Sequence, residues 1–158
     1  MFKPVLAALV FGACGLMSSS PAWALKSMYR AESKLSPDEL WAKVGDFCGV
    51  VKWVPPIQTC VMTPDKKLRT ITVKGGGGDV VEREVARSET KRFYTFIIIK
   101  PGPFPLGKYR ATMHVVPAPG GSAFIWSSTY TARGKSDAEV KASIDELYKS
   151  ASENLVSQ

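Results

Sequence analysis

The segment SDAEVKASIDELYKSASENL, Ser136 to Leu155, decides the fold. Ser136 followed three residues later by Glu139 reads as a capping box, in which each side chain satisfies a backbone donor at a helix start. Val140, Ile144, Leu147, Tyr148, Ala151 and Leu155 then recur at steps of three and four. That spacing lines them along one side of an α-helix of about five turns. Lys141, Asp145, Lys149 and Glu153 occupy the opposite side. No Gly or Pro interrupts the run. A one-sided helix of this length must lie on something, and the sequence before it supplies a sheet.

Working back from that helix, Ser122–Ala132 and Lys108–Val116 read as strands joined by a turn at Pro117–Gly121. A rigid Pro-rich link, Pro101–Gly107, separates them from Lys91–Lys100 (KRFYTFIIIK), a strongly apolar strand. Val80–Arg87, Leu68–Val73 and Ile57–Met62 are further strands. The glycine run Gly75–Gly78 between two of them is a hairpin turn. It lacks the following helix and the Lys-Ser/Thr pair of a phosphate-binding loop. Ser36-Pro37-Asp38-Glu39 is a second capping box with Pro at the first helical position. It opens a helix through Leu40, Trp41, Val44 and Phe47 that ends at Gly45 or Gly49. A short helical turn precedes Trp53, and Pro55-Pro56 forbids more helix. Lys26–Ser33 is the first strand.

Opposed residues on antiparallel strands share a face. Symmetric turns set Val73 against Val80, Ile71 against Glu82, Arg69 against Glu84, Glu84 against Tyr94, and Glu82 against Phe96. They also set Val115 against Phe124, Met113 against Trp126, Ala111 against Ser128, and Tyr109 against Tyr130. The helix-facing side therefore gathers Ile71, Val73, Tyr94, Phe96, Ile98, Tyr109, Met113, Val115, Phe124, Trp126 and Tyr130, together with Arg69, Glu82 and Glu84. Charges on such a face must be paired or wetted. Two arrangements satisfy this: an Arg69–Glu84 pair with Glu82 at a wet rim, or an open, partly hydrated pocket between sheet and helix. His114 falls on the other face.

The first 24 residues differ in kind. Lys3 is a short positive region and Pro4–Met17 an apolar core too short to span a bilayer well. Ala22-Trp23-Ala24 fits the cleavage rule of a secretory signal peptide. The expected division is a signal peptide over 1–24, cut after Ala24, and one domain over 25–158. A lipoprotein signal modified at Cys14 is the rival, but Phe11-Gly12-Ala13 lacks the usual leading Leu. Loss of Lys3 lowers the net charge from +7 to +6. A modest basic excess reads first as a solvated surface, and in functional terms as attraction to an acidic protein partner or an anionic membrane surface. The scattered cations argue against nucleic acid, and no transmembrane segment follows the signal. Cys48 and Cys60 remain: either a disulfide, which would stabilise by about 3 kcal/mol, or two buried thiols. With His114 the sole histidine, no metal site is expected. No nucleophile elbow or dinucleotide fingerprint appears, so no catalytic residue or cofactor is assigned.

The strings Gly45-Asp46-Phe47, Trp53-x-Pro55, Cys60, Leu68-Arg69-Thr70, Glu82, Phe93-Tyr94-x-Phe96, Pro105, Tyr109 and Trp126-Ser127 stand in an order that resembles the SRPBCC (START-like, Bet v 1-like) superfamily. The branch they resemble is its polyketide cyclase/dehydrase type, over residues 26–155. The resemblance implies an α+β helix-grip fold: a seven-stranded antiparallel sheet wrapped around a long C-terminal helix, with short helices between strands 1 and 2. The fold encloses a hydrophobic cavity. It also implies that Trp53, Arg69 and Glu82 line or gate that cavity, beside Tyr94, Phe96, Tyr109, Met113, Trp126 and Tyr130 from the face reading. The exported, basic form is similar to the MxaD-type periplasmic proteins of methanol-oxidation clusters, accessory to a quinoprotein dehydrogenase. The expected function is a periplasmic protein that binds a small hydrophobic ligand or assists a periplasmic dehydrogenase or cytochrome. The alternative is a cyclase/dehydrase-like enzyme with Glu82 as general base.

Overall fold

The computed structural model describes residues 24–158. The expected signal segment lies outside them except for Ala24. β1 (Leu25–Ser33) leads into α1 (Pro37–Val44) and α2 (Val50–Trp53). Six strands follow: β2 (Ile57–Met62), β3 (Leu68–Val73), β4 (Val80–Ser88), β5 (Phe93–Lys100), β6 (Leu106–Ala118) and β7 (Gly121–Ala132). α3 (Asp137–Val156) closes the chain. The strands form one seven-stranded antiparallel sheet in the order β1-β7-β6-β5-β4-β3-β2. β2 to β7 thus run as one continuous meander, and the first strand pairs with the last at its edge.

Both expected capping boxes are present, at Ser36/Glu39 and Ser136/Glu139. α1 ends at the earlier of its two expected stops. Gly45 caps it, and a side chain there would strike the Trp41 ring at 2.9 Å. Phe47 therefore lies beyond the helix, yet it is still buried, edge-on to Tyr94 with ring centres 5.4 Å apart. α3 lays Val140, Ile144, Tyr148, Ala151 and Leu155 on the sheet, all nearly or fully buried. Burying each large apolar side chain contributes roughly 1.5–3 kcal/mol. The docking is fixed at the helix end by polar ties. Tyr29 Oη donates to Glu153 (2.8 Å), and Asn154 Nδ2 donates to the Trp53 carbonyl (3.0 Å).

The β6–β7 register follows expectation, with Val115 on Phe124, Met113 on Trp126, Ala111 on Ser128 and Tyr109 on Tyr130. The β3–β4 register does not. Ile71 faces Val80 and Arg69 faces Glu82. The glycine loop takes two more residues out of the pairing than a symmetric turn would, because Gly75 to Gly78 all adopt positive φ, a conformation open to glycine at little cost. On β4 and β5, Glu84 faces Phe96 and Glu82 faces Ile98, with an irregularity between Glu84 and Ala86. Side chains alternate with period two, so a displacement of two residues changes partners and leaves faces intact. The expected inner face is the buried one.

Candidate functional site

The space between the inner face and the helices has two halves of different chemistry. Under β3, β4 and β5 it holds charge. Arg69 is 2% exposed and Glu82 6%. Arg69 Nε donates to Glu82 Oε2 at 2.5 Å, and its Nη1 donates to the Phe47 carbonyl. The guanidinium lies over the Phe47 ring at 3.9 Å and near that of Phe96 at 5.0 Å. Burial works against the charge of Arg69, but the adjacent Glu82 carboxylate outweighs it and the guanidinium pKa is raised. The expected Arg69–Glu84 pair with Glu82 at a wet rim is thus corrected. The longer glycine loop delivers Glu82 to Arg69. Glu84 instead takes Arg87 at 2.7 Å and Lys67 at 3.7 Å. The charged half is satisfied within itself.

Cys48 and Cys60 are bonded, with Cα atoms 5.5 Å apart. The bridge ties the turn carrying Phe47 to β2, and so holds the Phe47 carbonyl against Arg69.

Under β6, β7 and α3 the interior is neutral. The Tyr109 and Tyr148 hydroxyls are hydrogen-bonded to each other, and the Trp126 ring stacks on Tyr148 at 4.2 Å. Tyr130 shares a hydrogen bond of 2.7 Å with Ser27 Oγ. Tyr94 donates to the Met113 sulfur at 2.7 Å. Trp53 of α2 meets Trp126 edge-on at 5.9 Å and Phe124 at 5.6 Å. Burial pushes the Tyr94 hydroxyl up to about 12. It raises Tyr109 and Tyr148 well above the ordinary phenol value. Four buried polar atoms in this half complete no well-formed hydrogen bond among the described residues: Trp53 Nε1, Trp126 Nε1, Ser128 Oγ and Ser152 Oγ. Of these, Trp126 and Ser128 lie near the Tyr109 and Tyr148 hydroxyls, whose rise in pKa they moderate. Leaving such a group unpaired costs about 1–3 kcal/mol, so a concentration of them calls for a reason.

A small apolar pocket of about 50 Å³ adjoins this half. Val54, Ile71, Val80, Phe104, Trp126 and Leu147 line it. It has room for only a few waters and is far below the roughly 300–1,000 Å³ of sites for drug-sized ligands. A larger cleft, of about 360 Å³, lies at the charged end between sheet and helices, lined by Phe47, Met62, Lys67, Glu84, Arg87 and Glu89, whereas the apolar pocket is nearly filled. Phe104 and Leu147 are half-buried at its edge. Phe104 sits on the Pro-rich link, whose Pro103 lies so near the glycine loop that a side chain on Gly77 would meet it at 2.8 Å.

The structure thus places Trp53, Arg69, Glu82, Tyr94, Phe96, Tyr109, Met113, Trp126 and Tyr130 in one buried layer. Of these, Trp126 alone reaches the pocket wall. Sequence reasoning passed over Ser27, Ser128 and Tyr148 as polar members of the interior. The alternation that set Ser128 opposite Ala111 already turned its hydroxyl inward. His114 stands on the outer face against Phe93 at 6.0 Å. Among the described residues no group of three or more His, Cys, Asp or Glu is gathered for a metal. No described helix is long and apolar enough to cross a membrane.

Comparison with known proteins agrees with this architecture. The protein XoxI from Bacillus cereus shares 25% identity, with a TM-score of 0.78 over 84% of this chain and 93% of its own. A putative uncharacterized protein from Bacillus thuringiensis shares 24% identity, with a TM-score of 0.79 over 84% and 97%. Ara h 8.0201 has the same fold at 20% identity, with a TM-score of 0.66 over 85% and 99%. No curated protein is significantly similar to the chain. The model of the family described as polyketide cyclase / dehydrase and lipid transport matches residues 25–158, and the protein is a member of that family with the Bet v 1-like helix-grip fold.

Proposed function

We propose that this protein binds a small hydrophobic ligand between its sheet and α3, with Phe104 and Leu147 parting to admit it. The observation that carries the reading is the apolar pocket walled by Trp126, beside a buried layer that leaves the Trp126 and Ser128 polar atoms without well-formed hydrogen bonds. A ligand with an apolar body and a hydrogen-bonding group suits that combination, since apolar sites are given orientation by a few polar atoms. The family's description, which includes lipid transport, supports the same reading. Arg69 and Glu82 wall the far side and keep the interior in shape. Their mutual pairing argues against Glu82 as a free general base.

The ligand is held outside the cytoplasm. Residues 1–24 act as a signal peptide cut after Ala24, and the Cys48–Cys60 bridge suits an oxidising compartment. In the narrower form of the proposal, resting on the MxaD-type resemblance and the basic charge, the protein serves a periplasmic dehydrogenase such as methanol dehydrogenase. Native mass spectrometry of the protein taken from its own periplasm tests both parts. The expected result is a chain starting at Leu25 with a bound mass lost on organic extraction. An empty cavity in repeated preparations overturns the ligand reading. A retained residue 1–24 overturns export.

A further inference from the structure

We infer that the outer face of the sheet is a docking surface for an acidic segment of a partner protein. This deepens the accessory reading above and is independent of the cavity. The strand registers place Lys26, Thr129, Arg110, Ile97, Arg83 and Leu68 directly opposite one another, strand by strand, in one row across six strands. Every second member of the first five is a cation. Neighbouring strands lie about 4.8 Å apart, so Lys26, Arg110 and Arg83 recur at roughly 10 Å. All three are exposed, and none forms an ion pair with a carboxylate among the described residues. The nearest acid on this face of β1, Glu32, is already held by Arg30 at 2.8 Å.

The row is recessed from Lys26 to Ile97, and Arg83 stands beyond the grooves. One groove of about 550 Å³ is lined by Lys26, Met28, Arg110 and the hydroxyls of Thr112, Ser127 and Thr129. A second of about 460 Å³ shares Arg110 and Thr129 with it and adds Lys108 and Thr131. Neither groove wall contains a carboxylate. Cations spaced at roughly 10 Å match acidic side chains three residues apart on a polyproline-II segment, which advances about 3.1 Å per residue with about three residues per turn and so brings them to one side. The hydroxyls supply additional donors. A membrane suits the face less well. The face's exposed large apolar groups, Met28, Val61, Val85 and Ile99, are scattered singly over four strands, with no exposed aromatic anchor.

The test is an NMR titration of the ¹⁵N-labelled full chain as recovered from the periplasm, with a decaglutamate peptide as probe. The expected result is that the largest shifts fall along the Lys26–Arg83 row. Arg83→Glu with Arg110→Glu should weaken binding about tenfold or more at low salt, whereas Lys149→Glu on α3 should change it less than about twofold. A circular dichroism spectrum matching the parent's confirms that each variant is folded. Equal weakening by Lys149→Glu, or shifts spread evenly over α3, overturns the proposal. Vesicles of phosphatidylglycerol are the second probe. Arg110-dependent binding to them that decaglutamate does not displace assigns the face to a membrane and also overturns it. Shifts along the row with no dehydrogenase in a periplasmic co-purification support the proposal and remove only that partner.

Discussion

The two halves of the interior solve the same problem in opposite ways. Beneath β3–β5 the chain buries ions and completes every contact they need: Arg69 takes Glu82 and the Phe47 carbonyl, and Glu84 takes Arg87. Beneath β6, β7 and α3 it buries neutral donors and leaves Trp126 Nε1 and Ser128 Oγ without well-formed hydrogen bonds. A network closed on itself has nothing left to offer a guest and acts as framework. Open hydrogen-bonding valence beside an apolar pocket is what a guest can use. The contrast assigns stability to the first half and recognition to the second, and each variant below is chosen to break that assignment.

The largest effect is expected from Glu82→Leu. It strands the Arg69 guanidinium inside the protein, and such a loss costs about 3–5 kcal/mol. Urea unfolding monitored by circular dichroism measures it. Adding Arg69→Met should recover most of the loss, because a buried pair can be exchanged for packed apolar groups at little net cost. If the single variant stays within about 1 kcal/mol of the parent, the charged half is not framework.

Cleaving the Cys48–Cys60 bridge comes next. Its separation of 12 residues corresponds to about 3 kcal/mol of chain-entropy stabilisation. Because the bridge fixes the Phe47 carbonyl on Arg69, hydrogen exchange after reduction should quicken first at Phe47 and β3, and last at β6–β7. Uniform acceleration over the sheet would erase the distinction between the halves.

Alkaline titration reads the neutral half, and Tyr94 at its border with the charged one, by another route. Tyr94 keeps its proton in the folded chain up to about 12 against an ordinary value of 10.0, because burial disfavours the phenolate. Between those pH values the native state binds more protons than the unfolded one, so stability falls as pH rises. The loss is present in full only above the folded value, and for Tyr94 it is about 2–3 kcal/mol. Tyr109 and Tyr148 act in the same direction. Absorbance at the phenolate band should therefore show these three of the five tyrosines ionising together with unfolding. Independent ionisation of Tyr109 or Tyr148 in a folded chain would mean that the neutral half is wet.

How much of this was legible beforehand follows from what alternation and length can encode. The faces were readable, since Trp126, Tyr109 and Met113 stand at alternate positions and a displacement of two residues preserves their side. The β6–β7 pairs were readable because a short turn leaves one register. The partner of Arg69 was not. It depends on how many residues the loop at Gly75–Gly78 consumes, and glycine places little restriction on that number. The pocket's small volume was equally hidden, for it reflects how Tyr148 from α3 meets Tyr109 and Trp126 across the gap. The outer row of Lys26, Arg110 and Arg83 needs four registers at once and has no signature in any single strand.

The smallest expected effect is the most discriminating. Ser128 is 7% exposed, and its hydroxyl lies near that of Tyr148 without completing a well-formed hydrogen bond. In a purely structural residue that is a defect, and Ser128→Ala should remove it, leaving stability unchanged or raising it by up to about 1 kcal/mol. If the hydroxyl is retained to meet a guest, the same variant should come from the periplasm with less bound ligand, read by native mass spectrometry. A gain in stability joined to a loss of ligand places Ser128 in recognition. A loss of stability with ligand retained would show that its partner is internal, a buried water bridging to the backbone, and the neutral half would then be framework like the charged one.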